Sequence, residues 1–301
     1  MKIRYVLPAL AAASLLALTG CTTNVEGEQH EAFDVSNVKP DEAAIKLLPE
    51  DIKQTGKLVI GTDASYPPNE YKSSDGEIVG WGVDLASAVA AKLDLEPVWE
   101  EAGFDSIIPS VQGGKMDMGS SSFTDNAERQ KTVDFVNYYD AGVLWAAPIG
   151  KTVDPDNACG LEVAVQDGTF QHTDELPAKS KKCEEEGKEA IEILPFEGQA
   201  EATNAVVLGK ADAFTADSPV TLAAIAAQSD KIEASGESFD VAPYGYALAK
   251  NADNPKAQSE LTLAVQAALQ SLMDDGTYLE ILKSAGVEDG AIEEATINAG
   301  S

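Results

Sequence analysis

The sequence predicts an α/β protein with mainly parallel sheets, folded as two similar halves around a shared cleft. Two observations carry that expectation. Short β-rich runs alternate with helical patterns through most of the chain, the order that lays helices over parallel strands. In addition, VQGGKMDMGSSS (111–122) has an echo in VLGKADAFTADS (207–218), each reading as a helix end, then Gly-Lys-X-Asp, then a strand. Asp117 and Asp212 hold matching places in the echo, as do Ser122 and Asp217 further on. Ligands of open α/β sheets bind beyond the carboxyl ends of the strands, so two equivalent strand ends would face one cleft. The same pattern also fits a common helix-to-strand turn used twice.

The elements follow in order. KLVIGTD (57–63) reads as a buried strand, 83–93 as a helix, PVWEE (97–101) as a strand, FDSIIPSVQ (104–112) as a helix and MDMGSS (116–121) as a strand. LEVAVQDG (161–168), AIEILPF (190–196) and ADAFTAD (211–217) are further strands, with helical segments between them. The longest helix is expected over 255–275, stopped by Gly276 at the C-cap position.

The two ends read differently from the middle. Lys2 and Arg4 precede an apolar stretch, Val6 to Leu18, that is too short to span a bilayer and closes on Leu18-Thr19-Gly20-Cys21. Residues 1–20 therefore read as a signal peptide, and the small residues before the cysteine resemble a bacterial lipoprotein box. That resemblance implies a diacylglyceryl group on the Cys21 thiol after cleavage. Residues 21–55, acidic and polar with Pro40 and Pro49, read as a tether with a short helix over 41–48, and 289–301 as a loose tail.

Of 301 residues, 51 are acidic and 21 basic, for a net charge of −30. Nucleic-acid binding needs a basic surface and is excluded, as is broad adhesion to anionic lipid. Cys159 and Cys183 remain in the exported chain. A pair in an oxidising compartment is expected to be bridged, closing a loop worth on the order of 3 kcal/mol. With no further cysteine and no histidine cluster, no zinc site is expected, and nothing in the sequence calls for a cofactor.

The stretch GSSSFTDNAERQ (119–130) runs three serines into an acidic turn and places Arg129 where a helix is expected to begin. A cation in the first turn opposes the helix dipole at a cost of roughly 0.3–1 kcal/mol. A plain ion pair with Asp125 is one explanation, and an anion arriving from outside is the other.

Six stretches in register, KLVIGTDASYPPNEYK (57–72), GEIVGWGVDLASAVAAKL (76–93), FDSIIPSVQGGKMDM (104–118), VDFVNYY (133–139), VAVQDGTFQ (163–171) and ADAFTADSPV (211–220), resemble the extracellular solute-binding proteins that serve polar amino-acid ABC importers. The resemblance covers about 57–285. It implies a two-lobe periplasmic-binding-protein type II fold, with two mainly parallel sheets joined by hinge strands near 141–148 and 239–245. Lobe 1 would hold 56–142 with 244–288, and lobe 2 would hold 143–243. The implied partners are an amino-acid ligand, a permease and ATPase complex, and the bilayer through Cys21, on the extracytoplasmic face. The protein is expected to act as a monomer and not as an enzyme.

A closed site for an α-amino acid must pair both of its charges, because an unpaired buried charge is very costly. By the resemblance, Arg129 and the Ser122 N–H take the carboxylate, while the Ser122 hydroxyl, the Ser120 carbonyl and Asp217 take the ammonium. Thr169 and Phe170 open a helix whose N–H groups form an anion site. Tyr66 and Phe104 wall the ligand side chain, and Asp63 and Gln166 set its identity. Each has a plainer role open to it: Asp217 as a helix cap before Ser218-Pro219, and Trp81 as core. His172 is expected to be exposed, and His30 lies in the tether. The family usually spaces its threonine and arginine T-X-X-R; here Thr124 and Arg129 are two residues further apart, and Asn69 stands where phenylalanine is usual, giving a more polar rim. An exported dehydratase-like enzyme on this fold, with Asp63 or Glu70 as its acid, and a sensor for a membrane receptor are the competing functions.

Overall fold

A computed structural model describes residues 31–254 and 257–301; the signal peptide, Cys21 and His30 lie outside them. Two short helices, α1 (Glu42–Leu47) and α2 (Glu50–Thr55), lead into β1 (Lys57–Thr62). A small antiparallel sheet of β2 (Ser65–Tyr66), β3 (Glu70–Lys72) and β4 (Ile78–Val79) follows. Next come α3 (Trp81–Lys92), β5 (Glu96–Glu101), α4 (Phe104–Gln112) and β6 (Met118–Thr124). The long strand β7 (Val133–Pro148) crosses into the second half, which contains β8 (Glu162–Gln166), α5 (Leu176–Glu185), β9 (Glu192–Phe196), α6 (Gln199–Val207), β10 (Ala213–Asp217) and α7 (Ser218–Ala227). The strand β11 (Ile232–Ala249) crosses back, ahead of α8 (Glu260–Asp275) and α9 (Thr277–Ser284).

The two parallel sets do not form separate sheets. Eight strands run in the order β5-β1-β6-β11-β7-β10-β8-β9. β5-β1-β6 and β10-β8-β9 are parallel triplets, and the antiparallel pair β11–β7 lies between them and belongs to both. Helices cover both faces of each half, giving lobe 1 two hydrophobic clusters, around Leu85 and Leu269 and around Ile107 and Phe135. Lobe 2 has two more, around Phe214 and Val206 and around Trp145 and Val163. The carboxyl ends of β1, β6, β8 and β10 all meet where the lobes face each other. No helix among the described residues is long and apolar enough to cross a membrane.

The internal echo is the same device built twice. Gly114 and Gly209 follow a helix with φ of 69° and 70°, a left-handed stop that only glycine adopts freely. The next lysine N–H returns to the helix, Lys115 to Ser110 and Lys210 to Ala205. The aspartate then clamps the start of the neighbouring strand: Asp117 Oδ2 accepts from Val59 N at 2.8 Å, and Asp212 Oδ2 from Glu162 N at 2.9 Å. The plain turn and the repeated architecture are thus one feature.

Three expectations about the ends and the cap need correction. From Phe33 onward the tether is part of the fold: Ala44, Leu48 and Ile52, spaced at helical intervals, are buried in the lobe 1 core, with α1 packed on α8. The segment 289–301 is not loose. Ile297 bridges Val136, and Asn137 N donates to the Thr296 carbonyl at 2.9 Å, so this segment lines the edge of β7 that β10 leaves free in lobe 1. It is held by polar groups and carries little hydrophobic period, which hides it in the sequence. The longest helix begins at Glu260 rather than 255, because the Ser259 hydroxyl accepts from Thr262 N and caps it. Cys159 and Cys183 are bridged.

Asp117→Ala and Asp212→Ala should each destabilise the fold by about 1 kcal/mol by orphaning a strand N–H. The two lie in different lobes, so urea denaturation of the double variant should return nearly the sum.

Candidate functional site

The strand ends place the candidate residues. Within β6, the register to β1 ends at Gly119, and the register to β11 stops there and resumes at Phe123, leaving Ser120–Ser122 outside both ladders. Their backbone N–H and C=O groups are therefore not taken up by either neighbouring strand. Ser122 is held at φ 51°, an uncommon conformation for a residue with a side chain. Its hydroxyl lies 3.1 and 3.0 Å from the two Glu70 carboxylate oxygens and accepts from Asn69 Nδ2 at 2.9 Å. The Ser120 hydroxyl is buried with no hydrogen-bond partner among the described residues.

Asn69 and Glu70 lie behind this wall, both fully buried. Asn69 is thus no part of a polar rim, as its sequence position suggests; its Oδ1 accepts from Trp81 Nε1 at 2.8 Å and its amide supports Ser122. Trp81 belongs to the lobe 1 core. Gly80 and Gly82 make room for the pair: a Cβ on Gly80 would strike the Asn69 carbonyl, and one on Gly82 would strike Glu70 Oε1. Burial pushes the Glu70 carboxyl up to about 8, against the opposing pull of the Ser122 hydroxyl.

Asp63 sits just past β1. Its Oδ1 accepts from Ser65 N at 3.0 Å, and its Oδ2 accepts from Phe104 N at 3.1 Å and, across the cleft, from Gln166 Nε2 at 3.2 Å. Burial raises this carboxyl above its ordinary range although those donors work the other way. Phe104 opens α4, with its ring 4.6 Å from that of Phe123.

In lobe 2, Asp217 ends β10. It occupies the N-cap position of α7, but its carboxylate makes no capping bond. Instead Oδ2 accepts from Tyr66 at 2.8 Å and Tyr244 at 2.7 Å, and Oδ1 accepts from Gln171 Nε2 at 2.7 Å. Burial holds the carboxyl high while these bonds and the nearby Arg129 draw it down. Thr169 and Phe170 lead into one π-helical turn, Gln171–Glu175, that runs on into α5. His172 is half-buried rather than exposed: its Nδ1 accepts from Gly168 N at 3.2 Å and lies 2.9 Å from Asp167 Oδ1.

Arg129 does not open a long helix. It begins a three-residue 3-10 turn, Arg129–Lys131, so the dipole conflict expected from the sequence does not arise. Nor is it bonded to Asp125, whose carboxylate accepts from Gln130, Asn137 and the Gly300 N–H. The guanidinium reaches the cleft despite the longer turn. It donates to the Thr124 carbonyl at 2.8 Å and across the cleft to the Gly168 carbonyl at 2.9 Å, lying 5.5 Å from the Phe104 ring centre. Burial lowers its pKa to about 10, so it stays charged at neutral pH.

Four of these contacts, Tyr66–Asp217, Asp63–Gln166, Ser65–Gln166 and Arg129–Gly168, join the lobes. Together they close the cleft to a space of ≈ 10 Å³, about the room one water needs. Asp63, Tyr66, Phe104, Ser122, Gln166, Thr169, Phe170 and Asp217 line it, as do Ser121, Thr124 and Gln171. Arg129 reaches over its edge, and Ser120 lies beside Ser121 in β6. Gln171 and Tyr244 were missed in the sequence: Gln171 ends the quoted stretch VAVQDGTFQ, and Tyr244 lies on the returning hinge strand with no motif around it.

Arg129 from one lobe, the buried Asp217 from the other and the Asp63 carboxyl thus bring three ionisable groups together in the cleft. The pattern of the bacterial extracellular solute-binding proteins, family 3, matches residues 58–286, and the chain belongs to this family of amino-acid-binding ABC transporter components. It is 40% identical over 288 residues to the arginine-binding protein ArgT of Corynebacterium glutamicum, covering 95% of this chain and 92% of the relative. It is 30% identical over 248 residues to the glutamine-binding protein GlnH of Bacillus subtilis, covering 80% and 85%. An ancestral arginine-binding protein solved with arginine superposes with a TM-score of 0.68 at 31% identity, over 76% of this chain and 97% of that one.

The Glu70 carboxyl gives a pH test. Its folded pKa lies above its ordinary 4.5, so the folded state holds more protons between about pH 4.5 and 8, and stability falls as pH rises through that window. Glu70→Gln should remove that loss, on the order of a few kcal/mol at pH 8. Glu175, which burial raises to about 7, keeps part of the slope. Denaturation at pH 5 and pH 8 reads the difference.

Proposed function

We propose that this chain is a lipid-anchored, extracytoplasmic binding protein that captures a cationic α-amino acid between its lobes and delivers it to an ABC importer. The observation that carries the ligand class is the charge pattern of the cleft. Arg129 and Asp217 are the complements of an α-carboxylate and an α-ammonium, which leaves the Asp63 carboxyl with no cationic partner. A positively charged side chain supplies that partner, and ligands without one leave a buried carboxylate uncompensated.

In this reading the carboxylate takes Arg129 away from the Thr124 and Gly168 carbonyls, with further donors in the Ser122, Thr169 and Phe170 N–H groups. The unladdered backbone at Ser120–Ser122 supports this, as does the planar fork that guanidinium offers a carboxylate. The ammonium meets Asp217, the Ser120 carbonyl and the free lone pair of the Ser122 hydroxyl. Tyr66 and Phe104 flank the aliphatic part of the side chain, and Asp63 with Gln166 receives its head group. The lobes open about β7 and β11 to admit the ligand; the closed form is held by four hydrogen-bonded pairs and by the packing of Tyr66 on lobe 2, a difference a ligand can outweigh. Anchoring through Cys21 keeps the clamp beside the membrane. Binding is favoured over dehydration because, of the two candidate acids, Glu70 is bonded to the Ser122 hydroxyl behind the wall and Asp63 is held by Ser65, Phe104 and Gln166 with no catalytic partner beside it among the described residues.

Calorimetry or thermal shift on residues 22–301 against the common amino acids tests this. Arginine or lysine should stabilise most, by about 2.7 kcal/mol at a hundred times Kd, and no shift with any amino acid would overturn the reading. Arg129→Ala should lose about a hundredfold or more in affinity for any ligand found. Asp63→Asn should weaken arginine at least tenfold while changing glutamine by less than about threefold, as read by titration of both.

A further inference from the structure

The turn between Thr124 and Arg129 is longer than the family spacing, and the added residues have to be ordered at a cost in chain entropy. Local bonds order only part of it: Arg129 N donates to Asn126 Oδ1 at 2.9 Å and Gln130 N to the Asn126 carbonyl at 3.0 Å. The rest comes from β11, whose Pro243 carbonyl accepts from Asp125 N at 2.8 Å, and from the final segment of the sequence. Having bridged β7, this segment passes under the turn, where Gly300 N donates to Asp125 Oδ2 at 2.9 Å. Gln130 Nε2 donates to the Gly300 carbonyl at 2.9 Å and to Asp125 Oδ1 at 2.7 Å. Asn137 ties the two together, its Nδ2 donating to Asp125 Oδ2 at 2.9 Å and its Oδ1 accepting from Ala299 N at 3.1 Å. Asp125 is buried, and a Cβ on Gly300 would collide with the Asp125 carbonyl, so the approach is as close as the backbone permits.

We propose that the segment Thr296–Gly300 positions Arg129: it is a brace that holds the long turn in the form that carries the guanidinium into the cleft. The segment touches no ligand. It acts by filling the Asp125 carboxylate, which keeps that group from competing for the guanidinium, and by pinning Gln130, the neighbour of Arg129. The inference rests on Arg129 being the carboxylate anchor proposed above.

The test uses Gly300→Ala and Gln130→Ala in residues 22–301, with two readouts. Without ligand, hydrogen exchange at residues 129–131 should speed up about tenfold or more while β1 and α3 keep their protection; unchanged exchange overturns the brace. With L-arginine as the probe, each variant should bind about tenfold more weakly than wild type, and by less than about threefold on an Arg129→Lys background, because the brace acts through the arginine. An equal loss on both backgrounds, or faster exchange with unchanged affinity, overturns the positioning role. A wild type that binds no amino acid overturns the proposed function instead, and the exchange readout still decides whether the segment orders the turn.

Discussion

The antiparallel ladder between β7 and β11 is the one piece of backbone pairing that the two lobes share. Each lobe has its own parallel triplet and its own helices, but neither triplet touches the other except through this pair. The ladder is regular inside each lobe and breaks register around the crossing, between Ser235 and Phe239, Phe239 and Ala242, and Tyr244 and Gly245. Pairing that is continuous on either side and irregular in the middle puts the local bend of the ladder between the lobes. Everything in the cleft follows from that bend. The strand ends of lobe 1 and lobe 2 meet only because the crossing turns them toward each other, and Tyr244, on the crossing strand itself, donates to the Asp217 carboxylate.

A second constraint is the burial of charge. Asp63, Glu70, Asp217 and Arg129 are all drawn out of water within one small region, and desolvation is the largest influence on each. The fold answers with neutral hydrogen-bond partners rather than ion pairs. Two tyrosines and a glutamine serve Asp217, backbone N–H groups and a glutamine serve Asp63, and two carbonyls serve Arg129. Neutral partners limit the cost of burial without using up the charge, so each group can still exchange its partner for a stronger, oppositely charged one. Glu70 differs in being sealed behind Ser122, and its part is in the wall.

Much of the fold was legible because its signals are local. The alternation of strand and helix, the glycine stops at Gly114 and Gly209, and the strand ends carrying Ser122 and Asp217 all read from runs of adjacent residues. The candidate residues of the cleft lay in stretches that matched a family in order, and all but Ser120 and Arg129 line one enclosed space. What was not legible depends on polar contacts between distant residues. The segment 289–301 looked loose because its hold on β7 is made by backbone groups and by the side chains of Asn298 and Asn137, with no apolar repeat to announce it. Asn69 looked like a rim residue because nothing in its neighbourhood says that Trp81 and Ser122 will close over it.

The sequence by itself therefore determined the architecture, the two facing strand ends and the residue types of the cleft, because hydrophobic period, helix stops and short motifs act over a few residues. Tertiary structure alone decided which partner each buried polar group takes. Arg129 reads in the sequence as a helix start whose partner is either Asp125 or an anion from outside. In the fold it crosses to the Gly168 carbonyl of lobe 2, while the Asp125 carboxylate takes Gln130, Asn137 and Gly300, the last of them 175 residues away. A buried hydrogen-bonding group must be satisfied by whatever the packing brings to it, and sequence distance does not enter into that requirement.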